Sequence, residues 1–376
     1  MRTRVGVIFG GRSGEHDISV RSAETVVEAL DREKYEVIPI AIGRDGRWLG
    51  PEQAKSLLNP VAGDLISLEP KFEGDPEIGL IGNQKLEGLT LFHDRQQDPV
   101  ELNLDVVLPV LHGTFGEDGT IQGLLEMAGV PYVGCGVLAS ACGMDKVIMK
   151  SLFVEAGLPI CNYTWFLRSE WEANRASVVD MVERAIGYPC FVKPANLGSS
   201  VGISRATDSA SLEAAIDLAA EYDRRIIVEE GLKMREIECA ILGNDEPMAS
   251  LPGEYVIKDK TKAFLDYTEK YTGTGNNEFV VPAPVSEELS NNIRQMAVAA
   301  FKAIDGSGLA RVDFFLRTDT GALLVNEINT MPGLTDASGY PKMWAGTGVS
   351  FSELLDRLIA LAVERHQDRA RNRTSK

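Results

Sequence analysis

The sequence predicts a mixed α/β and α+β chain whose N-terminal part is a doubly wound sheet. The first observation is an alternation of short apolar runs with amphipathic helical stretches, which is typical of parallel sheets covered by helices. The runs that predict strands lie at 5–9, 37–42 and 105–111. The second observation is a pair of apolar runs at 309–316 and 322–328, separated by residues with turn chemistry, which predicts an antiparallel hairpin.

The N-terminal elements direct several polar side chains to one edge of the predicted sheet. The strand at 5–9 runs into a glycine-containing loop at 10–16 and then into an amphipathic helix. Such a loop often binds phosphate, but this glycine spacing is not the dinucleotide fingerprint, and a plain tight turn is also compatible. Ligands of doubly wound sheets bind beyond the carboxyl ends of the strands. We expect Glu15, His112 and Glu117 there, either in a binding site or in solvated loops.

Composition narrows the possible function classes. With 376 residues, 44% of them hydrophobic, the chain is long enough for two or three globular domains. Its formal net charge of -17 opposes binding to nucleic acid and to anionic membranes. Any phosphate ligand must therefore be held by local basic groups.

Cysteine usage and hydropathy predict a cytoplasmic protein. The cysteines are irregularly spaced and include no C-x-x-C pair, so we expect reduced thiols in the core. The apolar run at 5–9 is too short for a signal peptide, and no later stretch is long enough to cross a membrane. The polar tail at 366–376 is expected to be disordered.

The central part of the sequence places a lysine beside a loop of small residues. A predicted strand ends at Lys193, and the loop at 195–202 follows it. The backbone N–H groups of such a loop can approach phosphate oxygens closely, and Lys193 adds a positive charge. The pattern is not a P-loop and is also compatible with a simple hairpin. Further on, Glu229 and Glu230 end another strand, where they could accept hydrogen bonds from adenine or ribose or lie at a solvated edge.

The stretch at 264–277 is polar, contains glycine and has no periodicity, which favours a long loop. Its aromatic and basic residues, among them Phe264, Lys270 and Tyr271, are typical of a lid over an active site.

The C-terminal hairpin predicts a metal site. If its turn is centred on Thr320, Asp313 lies opposite Glu327. Arg311 then lies opposite Asn329, and because alternate residues share a face, all four side chains lie together. Two opposed carboxylates, about 5 Å apart at their Cβ atoms, repel unless a cation lies between them. Oxygen ligands without His or Cys suit Mg²⁺ held jointly with substrate phosphates; the alternative, a solvated face, is disfavoured by the apolar runs around both carboxylates.

Together, the hairpin, the lysine loop and the paired glutamates resemble the ATP-grasp superfamily, in which ATP lies between two α+β units. Further segments within 4–360 resemble the D-alanine:D-alanine ligase family. These segments are G-G-R-S-G-E-H-D-I-S at 10–19, L-H-G-T-F-G-E-D-G at 111–119, M-D-K at 144–146, G-S-S-V-G at 198–202, D-Y-T-E-K-Y at 266–271 and N-T-M-P-G-L-T at 329–335.

The resemblance implies ATP and two Mg²⁺ or Mn²⁺ ions as cofactors. Two lysines would hold the phosphates, a small-residue loop would close over them, and acidic and backbone groups would bind adenine and ribose. The implied ATP-binding residues are Lys146, Lys193, Gly198, Ser200, Glu229, Leu232, Glu236 and Phe264. The implied metal ligands are Asp313, Glu327 and Asn329.

The resemblance also implies two D-alanine molecules as substrates, joined through an acyl phosphate. Glu15 would receive the first ammonium group, and Ser338 would bind the second carboxylate. The implied catalytic residues are Glu15, Ser199, Tyr271, Arg311, Gly333 and Ser338, of which Arg311 and the Gly333 N–H would stabilise the oxyanion and Ser199 and Tyr271 would draw the lid shut. The implied substrate-binding residues are Glu15, His112, Glu117, Lys270 and Ser338.

Some positions bear on the second substrate. The Lys270–Tyr271 pair implies an amine nucleophile, because related ligases that make D-alanyl-D-lactate lack it. Leu265, Leu334 and Gly339 depart from the residues common in the family. The last two could enlarge the second substrate pocket, which leaves D-serine open.

The resemblance therefore implies an ADP-forming, homodimeric ligase for peptidoglycan precursors. The alternatives are a D-alanine:D-serine ligase, another ATP-grasp ligase for a different carboxylate, and a nucleotide-binding regulator that has lost catalysis. We expect an N-terminal substrate domain at 1–143, a central ATP-grasp subdomain at 144–232, a C-terminal ATP-grasp subdomain with the metal site at 233–365, and the polar tail at 366–376.

Overall fold

The computed structural model describes residues 2–58, 77–80, 89–92, 100–198, 201–257 and 277–373. Within these ranges the strands form three sheets, one in each of the three regions that the sequence suggested. The helices pack on the sheets, so the chain combines α/β and α+β layers as predicted.

The first sheet is built on parallel strands. Its strands are β1 (Thr3–Gly10), β2 (Tyr35–Ile42), β3 (Trp48–Leu49), β4 (Glu77–Leu80), β5 (Leu89–Phe92), β6 (Val100–Glu101) and β7 (Val106–Val110). β1 lies between β2 and β7 and runs parallel to both. The strands β3 to β6 extend the sheet beyond β2 in antiparallel fashion and form one edge of it. The helices are α1 (His16–Ala29), α2 (Pro51–Leu58), α3 (Thr120–Ala128) and α4 (Val137–Met144).

The carboxyl ends of β1 and β7 position the first group of polar residues. The last six residues of β1 are buried, which explains its near-continuous apolar sequence. Gly10 ends the strand with a φ of 91°, and a Cβ there would lie 2.3 Å from the carbonyl oxygen of Ile42. Only glycine therefore fits this turn. Because β1 and β7 are parallel neighbours, the loops with Glu15 and His112 leave the sheet at the same edge.

The second sheet is antiparallel and has the order β10-β9-β11-β8. Its strands are β8 (Tyr163–Leu167), β9 (Cys190–Pro194), β10 (Ser204–Ala206) and β11 (Arg225–Glu230). The preceding and intervening helices are α5 (Lys146–Glu155), α6 (Arg168–Ala173), α7 (Arg175–Ala185) and α8 (Ser209–Tyr222). The pairing of β9 with β11 brings the end of β9, with Lys193, beside the chain that carries Glu229.

The third sheet carries the predicted hairpin. Its strands are β12 (Met234–Gly243), β13 (Met248–Ala249), β14 (Gly253–Ile257), β15 (Asn277–Val280), β16 (Gly308–Arg317) and β17 (Leu323–Asn329). The helices are α9 (Glu287–Ala303), α10 (Gly339–Gly346) and α11 (Phe351–Arg369). Ser286 caps α9, accepting from the backbone N–H of Leu289, and the buried face of α9 includes Ile293, Ala297 and Ala300.

The three regions share their cores. Met149 and Phe153 of α5 pack in the apolar cluster beneath the third sheet. Leu354 and Leu358 of α11 pack in the cluster that contains Val5 of β1. Each of these two helices therefore packs in a core that belongs to another region of the chain.

The expectation of a disordered tail is wrong for its first residues. Helix α11 continues to Arg369. The guanidinium of Arg365 donates to the backbone oxygens of Gly134 and Tyr132 and lies 4.2 Å from the centroid of the Tyr132 ring, and Arg369 pairs with Glu126. Composition alone does not reveal these long-range contacts. In the part of the chain that the structure describes, no helix is long and apolar enough to span a bilayer.

Candidate functional site

The register of the hairpin brings the predicted side chains together. Asp313 pairs with Glu327 and Arg311 pairs with Asn329, as predicted. Near the turn the pairing differs by one residue from a turn centred on Thr320, and a β-bulge at Asn326 restores the predicted register at the site. Both strands bury the opposite face, so these four side chains lie together on the less buried face. We call them the carboxylate face.

Asp313 is the hub of the carboxylate face. Its two oxygens accept from Arg311 Nε at 2.7 Å and Arg311 Nη2 at 2.6 Å, and one of them also accepts from Asn329 Nδ2 at 3.0 Å. Glu238 on β12 lies directly opposite Asp313 in the register, with an oxygen 3.4 Å from Arg311 Nε. Two carboxylates thus hold the guanidinium in a fixed orientation.

The donor set of the carboxylate face fits a hard cation. Among the described residues, no group of three or more His, Cys, Asp or Glu is arranged to hold a metal ion. The face instead offers the carboxylates of Asp313 and Glu327 and the amide of Asn329. A carboxylate has about four lone-pair sites, so Asp313 can bind a cation while it accepts from Arg311. Mg²⁺ held by one or two carboxylates and by substrate phosphates requires no more than this set.

A central cleft with about 780 Å³ of empty space lies beside the carboxylate face. The second and third sheets supply its walls, through Lys193 on β9, Glu229 on β11 and Glu236 on β12. The cleft therefore brings together residues from segments far apart in sequence. The full lining is Phe191, Lys193, Ile203, Glu229, Glu230, Leu232, Met234, Glu236, Glu238, Asp313, Phe314, Phe315, Asn326 and Glu327.

Glu229 lies between two lysines in a buried cluster, which we call the lysine cluster. One of its oxygens accepts from Lys193 Nζ at 2.6 Å, and the other lies 3.0 Å from Lys150 Nζ. Lys150 is completely buried, and Glu229 is 2% exposed. Sequence analysis anticipated Lys193 and Glu229 at the site but not Lys150, although Lys150 lies one helical turn after Lys146 on α5.

Charge pairing keeps the lysine cluster ionised. Burial opposes the charge on Glu229, but Lys150 and Lys193 outweigh it and lower its pKa to about 2. Burial also opposes the charges on the two lysines, but Glu229 raises the pKa of each above its ordinary value. The cluster therefore places one negative and two positive charges beside the cleft at neutral pH.

A second cavity, with about 540 Å³ of empty space, joins the three regions. It is lined by Glu117 from the first region, Lys146 and Gly198 from the second, and Glu327 and Asn329 from the third. Lys146 Nζ donates to the backbone oxygen of Leu197 at 2.6 Å, and burial lowers its pKa. Since Glu327 lines both cavities, they meet at the carboxylate face.

His112 connects the first sheet to the loop after the hairpin. Its Nδ1 donates to the carbonyl oxygen of Met331 at 3.1 Å, and its Nε2 lies 3.1 Å from Ser22 Oγ. Burial alone would lower the pKa of His112, but the carboxylates of Glu117 and Glu15 outweigh it and raise the pKa. The imidazole is therefore held in place beside Glu117, which lines the second cavity.

Glu15 lies close to Gly198 across the boundary between the first two regions. A Cβ added at Gly198 would be 3.2 Å from Glu15 Oε2, and one at Gly113 would be 2.5 Å from the same oxygen. Absence of a side chain at both positions allows the carboxylate to approach the small-residue loop.

The loop that follows β17 brings Gly333 and Ser338 together. A Cβ added at Gly333 would lie 2.7 Å from Ser338 Oγ. Ser338 Oγ is 2.7 Å from Thr335 Oγ1 and accepts from the Thr335 N–H at 3.2 Å, which fixes the loop locally. The backbone of Gly333 is therefore close to a buried hydroxyl group.

The enlargement of the second substrate pocket at Leu334 and Gly339 stays a prediction. Leu334 is completely buried in the apolar cluster around α11. A Cβ added at Gly339 would lie 2.5 Å from Glu238 Oε2 and 2.8 Å from Phe279 Cζ. The glycine therefore leaves room for those two side chains.

Part of the predicted site lies outside the residues that the structure describes. Ser199, Ser200, Phe264, Leu265, Lys270 and Tyr271 lie outside them. Glu238 and Lys150 are the neighbours that sequence analysis missed. The signal for Glu238 was its spacing of two from Glu236 on one strand, which places both side chains on the same face.

Comparison with known proteins identifies the family. The family model described as "D-ala D-ala ligase N-terminus" matches residues 4–135, and "D-ala D-ala ligase C-terminus" matches 152–360. A D-alanine–D-alanine ligase of Heliobacterium modesticaldum is 48% identical over 377 residues, covering 100% of this chain and 99% of that protein. One of Bacillus licheniformis is 47% identical, with 98% of each chain covered.

Solved structures agree with the sequence relatives. The D-alanine-D-alanine ligase from Coxiella burnetii has a TM-score of 0.80 and 34% identity, covering 98% of this chain and 97% of that one. The VanG D-Ala:D-Ser ligase from Enterococcus faecalis has a TM-score of 0.82 and 37% identity, covering 96% and 100%. The chain thus has an ATP-grasp fold, as the resemblance implied, and it belongs to the D-alanine–D-alanine ligase family.

Proposed function

We propose that this protein is an ADP-forming ligase that joins two D-alanine molecules through an acyl phosphate, for peptidoglycan synthesis. The observation that carries the proposal is the junction of the two cavities at Glu327. One cavity is lined by Lys193 and Glu229 of the lysine cluster, and the other is lined by Glu117 and Lys146. This arrangement suits a nucleotide whose terminal phosphate points towards a second substrate.

The first step transfers the γ-phosphoryl group of ATP to the carboxylate of one D-alanine. Both reactants are anionic, so catalysis depends on positioning and on charge neutralisation. Lys146 and Lys193 supply positive charge at the phosphates, with Gly198 and the neighbouring Ser200 covering them. When bound by Asp313, Glu327 and Asn329, two Mg²⁺ or Mn²⁺ ions supply the remaining neutralisation.

The other end of the nucleotide lies along the strand and hinge of the second sheet. Glu229 and the backbone at Leu232 bind adenine, Glu236 binds the ribose hydroxyls, and Phe264 contributes to the adenine pocket. For Glu229 this role is compatible with its contacts, because a carboxylate that pairs with two lysines still has free lone pairs.

The second step is attack by the free amine of the other D-alanine on the acyl phosphate. The tetrahedral intermediate carries an oxyanion, which Arg311 and the N–H of Gly333 stabilise. Phosphate leaves with the electron pair of the broken C–O bond, and the amine loses a proton. The bidentate contact with Asp313 keeps the Arg311 guanidinium in one orientation throughout.

The two substrates are held by groups from different regions. Glu15 binds the ammonium group of the first D-alanine, with His112 and Glu117 behind it. Ser338 binds the carboxylate of the second. Lys270 contributes to substrate binding, and Ser199 and Tyr271 draw the lid shut, because water would hydrolyse the acyl phosphate.

Further features of the proposal rest on the family resemblance. The homodimer is one of them, whereas the domain boundaries at 143, 232 and 365 and a cytoplasmic location are proposed from the sequence itself. Light scattering of the purified protein tests the dimer, since a mass near 40.9 kDa would contradict it.

The decisive experiment incubates the protein with ATP, Mg²⁺ and D-alanine and measures phosphate and dipeptide by mass spectrometry. We expect both products in equal amounts, and none without D-alanine. Parallel reactions contain D-serine or D-lactate as the second substrate. D-Alanyl-D-serine as the main product would move the assignment to a D-alanine:D-serine ligase, and no phosphate with any D-amino acid would refute the proposal.

A further inference from the structure

Lys150 is a buried cation to which the proposed mechanism gives no role. It lies on α5, four residues after Lys146, so both side chains leave the same face of the helix. Lys146 reaches the second cavity, whereas Lys150 lines neither cavity and is completely buried. It cannot contact a nucleotide in the central cleft directly.

Three contacts fix the Lys150 ammonium group. Its Nζ lies 3.0 Å from Glu229 Oε1, donates to the carbonyl oxygen of Asn326 at 3.2 Å, and lies 3.6 Å from Cys161 Sγ. These partners come from β11, from the bulge of β17 and from the segment before β8. The position of the ammonium is therefore set by elements of two different sheets.

Glu229 divides its carboxylate between two lysines. Oxygen Oε2 accepts from Lys193, which lines the cleft, and Oε1 faces Lys150, which does not. A buried charge without a partner is costly, so removing Lys150 would leave Glu229 to satisfy both oxygens with Lys193 alone. The Lys193 ammonium would then turn towards Glu229 and away from the cleft.

We propose that Lys150 is a positioning residue for nucleotide binding, which holds one oxygen of Glu229 so that the other presents Lys193 to the cleft. The proposal rests on the nucleotide site of the proposed function and adds a residue to it. Lys150 acts through Glu229 and touches neither substrate.

The test compares nucleotide affinity in Lys150→Met, Glu229→Gln and the double variant, by calorimetric titration with ADP and Mg²⁺ in the absence of D-alanine. We expect Lys150→Met to weaken ADP binding about tenfold, or ~1.4 kcal/mol. The double variant should bind ADP as Glu229→Gln does, because a residue that acts through Glu229 has no effect without it. In steady state, the KM for ATP should rise while the KM for D-alanine changes less than about twofold.

Arg235→Met is the matched control. Arg235 pairs with the buried Glu254, with Nη2 2.5 Å from Oε2, and neither residue lines a cavity at the site. This variant should lose stability but keep its affinity for ADP. If it weakens ADP binding as much as Lys150→Met, the effect of Lys150 is general destabilisation and the proposal fails.

The remaining outcomes also test the proposed role of Lys150. Additive effects of the two substitutions would show that Lys150 does not act through Glu229. If Lys150→Met does not fold, the comparison of the double variant with Glu229→Gln still stands, and a further loss of affinity in the double variant would overturn the proposal. Dipeptide synthesis with unchanged ADP binding in Lys150→Met refutes this inference alone. ADP binding without dipeptide synthesis refutes the proposed function alone.

Discussion

The carboxylate face and the lysine cluster lie on two sides of the same cleft, but the chain builds them differently. The carboxylate face comes from two adjacent strands of one hairpin and is partly exposed, with 14% of the Asp313 side chain accessible. The lysine cluster comes from α5, β9 and β11, and the accessible fractions of its side chains are 1% for Lys150, 3% for Glu229 and 11% for Lys193.

This difference separates two kinds of contribution. Charges on a partly exposed face can exchange their partners for a ligand at little cost to the fold. Charges in a dry cluster depend on each other, since the loss of one leaves the others buried without compensation. We therefore expect substitutions in the carboxylate face to reduce turnover with little loss of stability, and substitutions in the lysine cluster to reduce stability and nucleotide affinity together.

The largest effect is expected for Glu327→Gln. This substitution removes the carboxylate of Glu327, which lines both cavities, and keeps nearly the same side-chain shape. Turnover should fall by about 1000-fold or more, because metal ions contribute several kcal/mol to transition-state stabilisation. The midpoint of thermal unfolding should stay close to that of the unmodified protein.

Asp319→Asn is the control on the same hairpin. Asp319 pairs with Arg317 at the exposed end, outside both cavities, so turnover should not change. Near-normal turnover in Glu327→Gln, measured by phosphate release, would remove Glu327 from the metal site.

In the lysine cluster, Glu229→Gln should reduce stability, in contrast to Glu327→Gln in the carboxylate face. Removal of one member of a buried ion pair costs about 3–5 kcal/mol, and we expect a loss of unfolding free energy of this order. Glu254→Gln is the control, because its carboxylate is also buried and paired but lies outside the cleft. Both variants should be destabilised in urea, and only Glu229→Gln should also lose affinity for ADP. Unimpaired ADP binding would exclude Glu229 from the nucleotide site.

The pH dependence of the same variant sharpens this prediction. The pKa of Glu229 is lowered from its ordinary 4.5 to about 2, so the unfolded chain binds the proton more readily than the folded one. Its contribution to stability is therefore fully present above 4.5 and is lost as the pH falls towards 2. The difference in unfolding free energy between the unmodified protein and Glu229→Gln should be constant at neutral pH and should shrink below 4.5. A constant difference down to the acid transition would contradict the pairing.

Arg311→Lys should have an intermediate effect. Lysine keeps the charge but cannot form the bidentate contact with Asp313 or hold one planar orientation. We expect turnover to fall about 100-fold, the loss that follows removal of one oxyanion donor. Arg317→Lys is a close control, because Arg317 forms the same bidentate contact with Asp319 two residues on, at the exposed end of the same strand. Equal losses in both variants, measured as kcat, would show that the contact serves the hairpin and not the reaction.

The contrast also explains which parts of the site the sequence could predict. The carboxylate face was predicted in full, because a hairpin with a visible turn sets its own register over a short span. The same argument was wrong at Leu316, which pairs with Leu323 and not with Leu324. The bulge at Asn326 corrects the register, and no turn rule contains such a bulge.

The lysine cluster was predicted only in part, for a physical reason. Lys150 and Glu229 are 79 residues apart in the sequence (229 minus 150). The sequence of α5 alone does not indicate which sheet the helix packs on. The family resemblance implies the roles of Lys193 and Glu229, because it identifies residues that match a motif. It does not identify the residues that hold those motif residues in place. The same applies to Glu238, whose contact with Arg311 depends on the pairing of β12 with β16.

The smallest effect is expected at the turn, for Gly321→Ala. Gly321 has a φ of 74°, and a Cβ there would meet no atom within 4 Å, so the cost is backbone strain alone, about 1–2 kcal/mol. Turnover should be unchanged, because the register at Asp313 depends on the bulge at Asn326 and not on the geometry of the turn. Denaturant unfolding and phosphate release measure the two quantities separately. A loss of turnover comparable to that of Arg311→Lys would show that the turn, and not the bulge, aligns the carboxylate face.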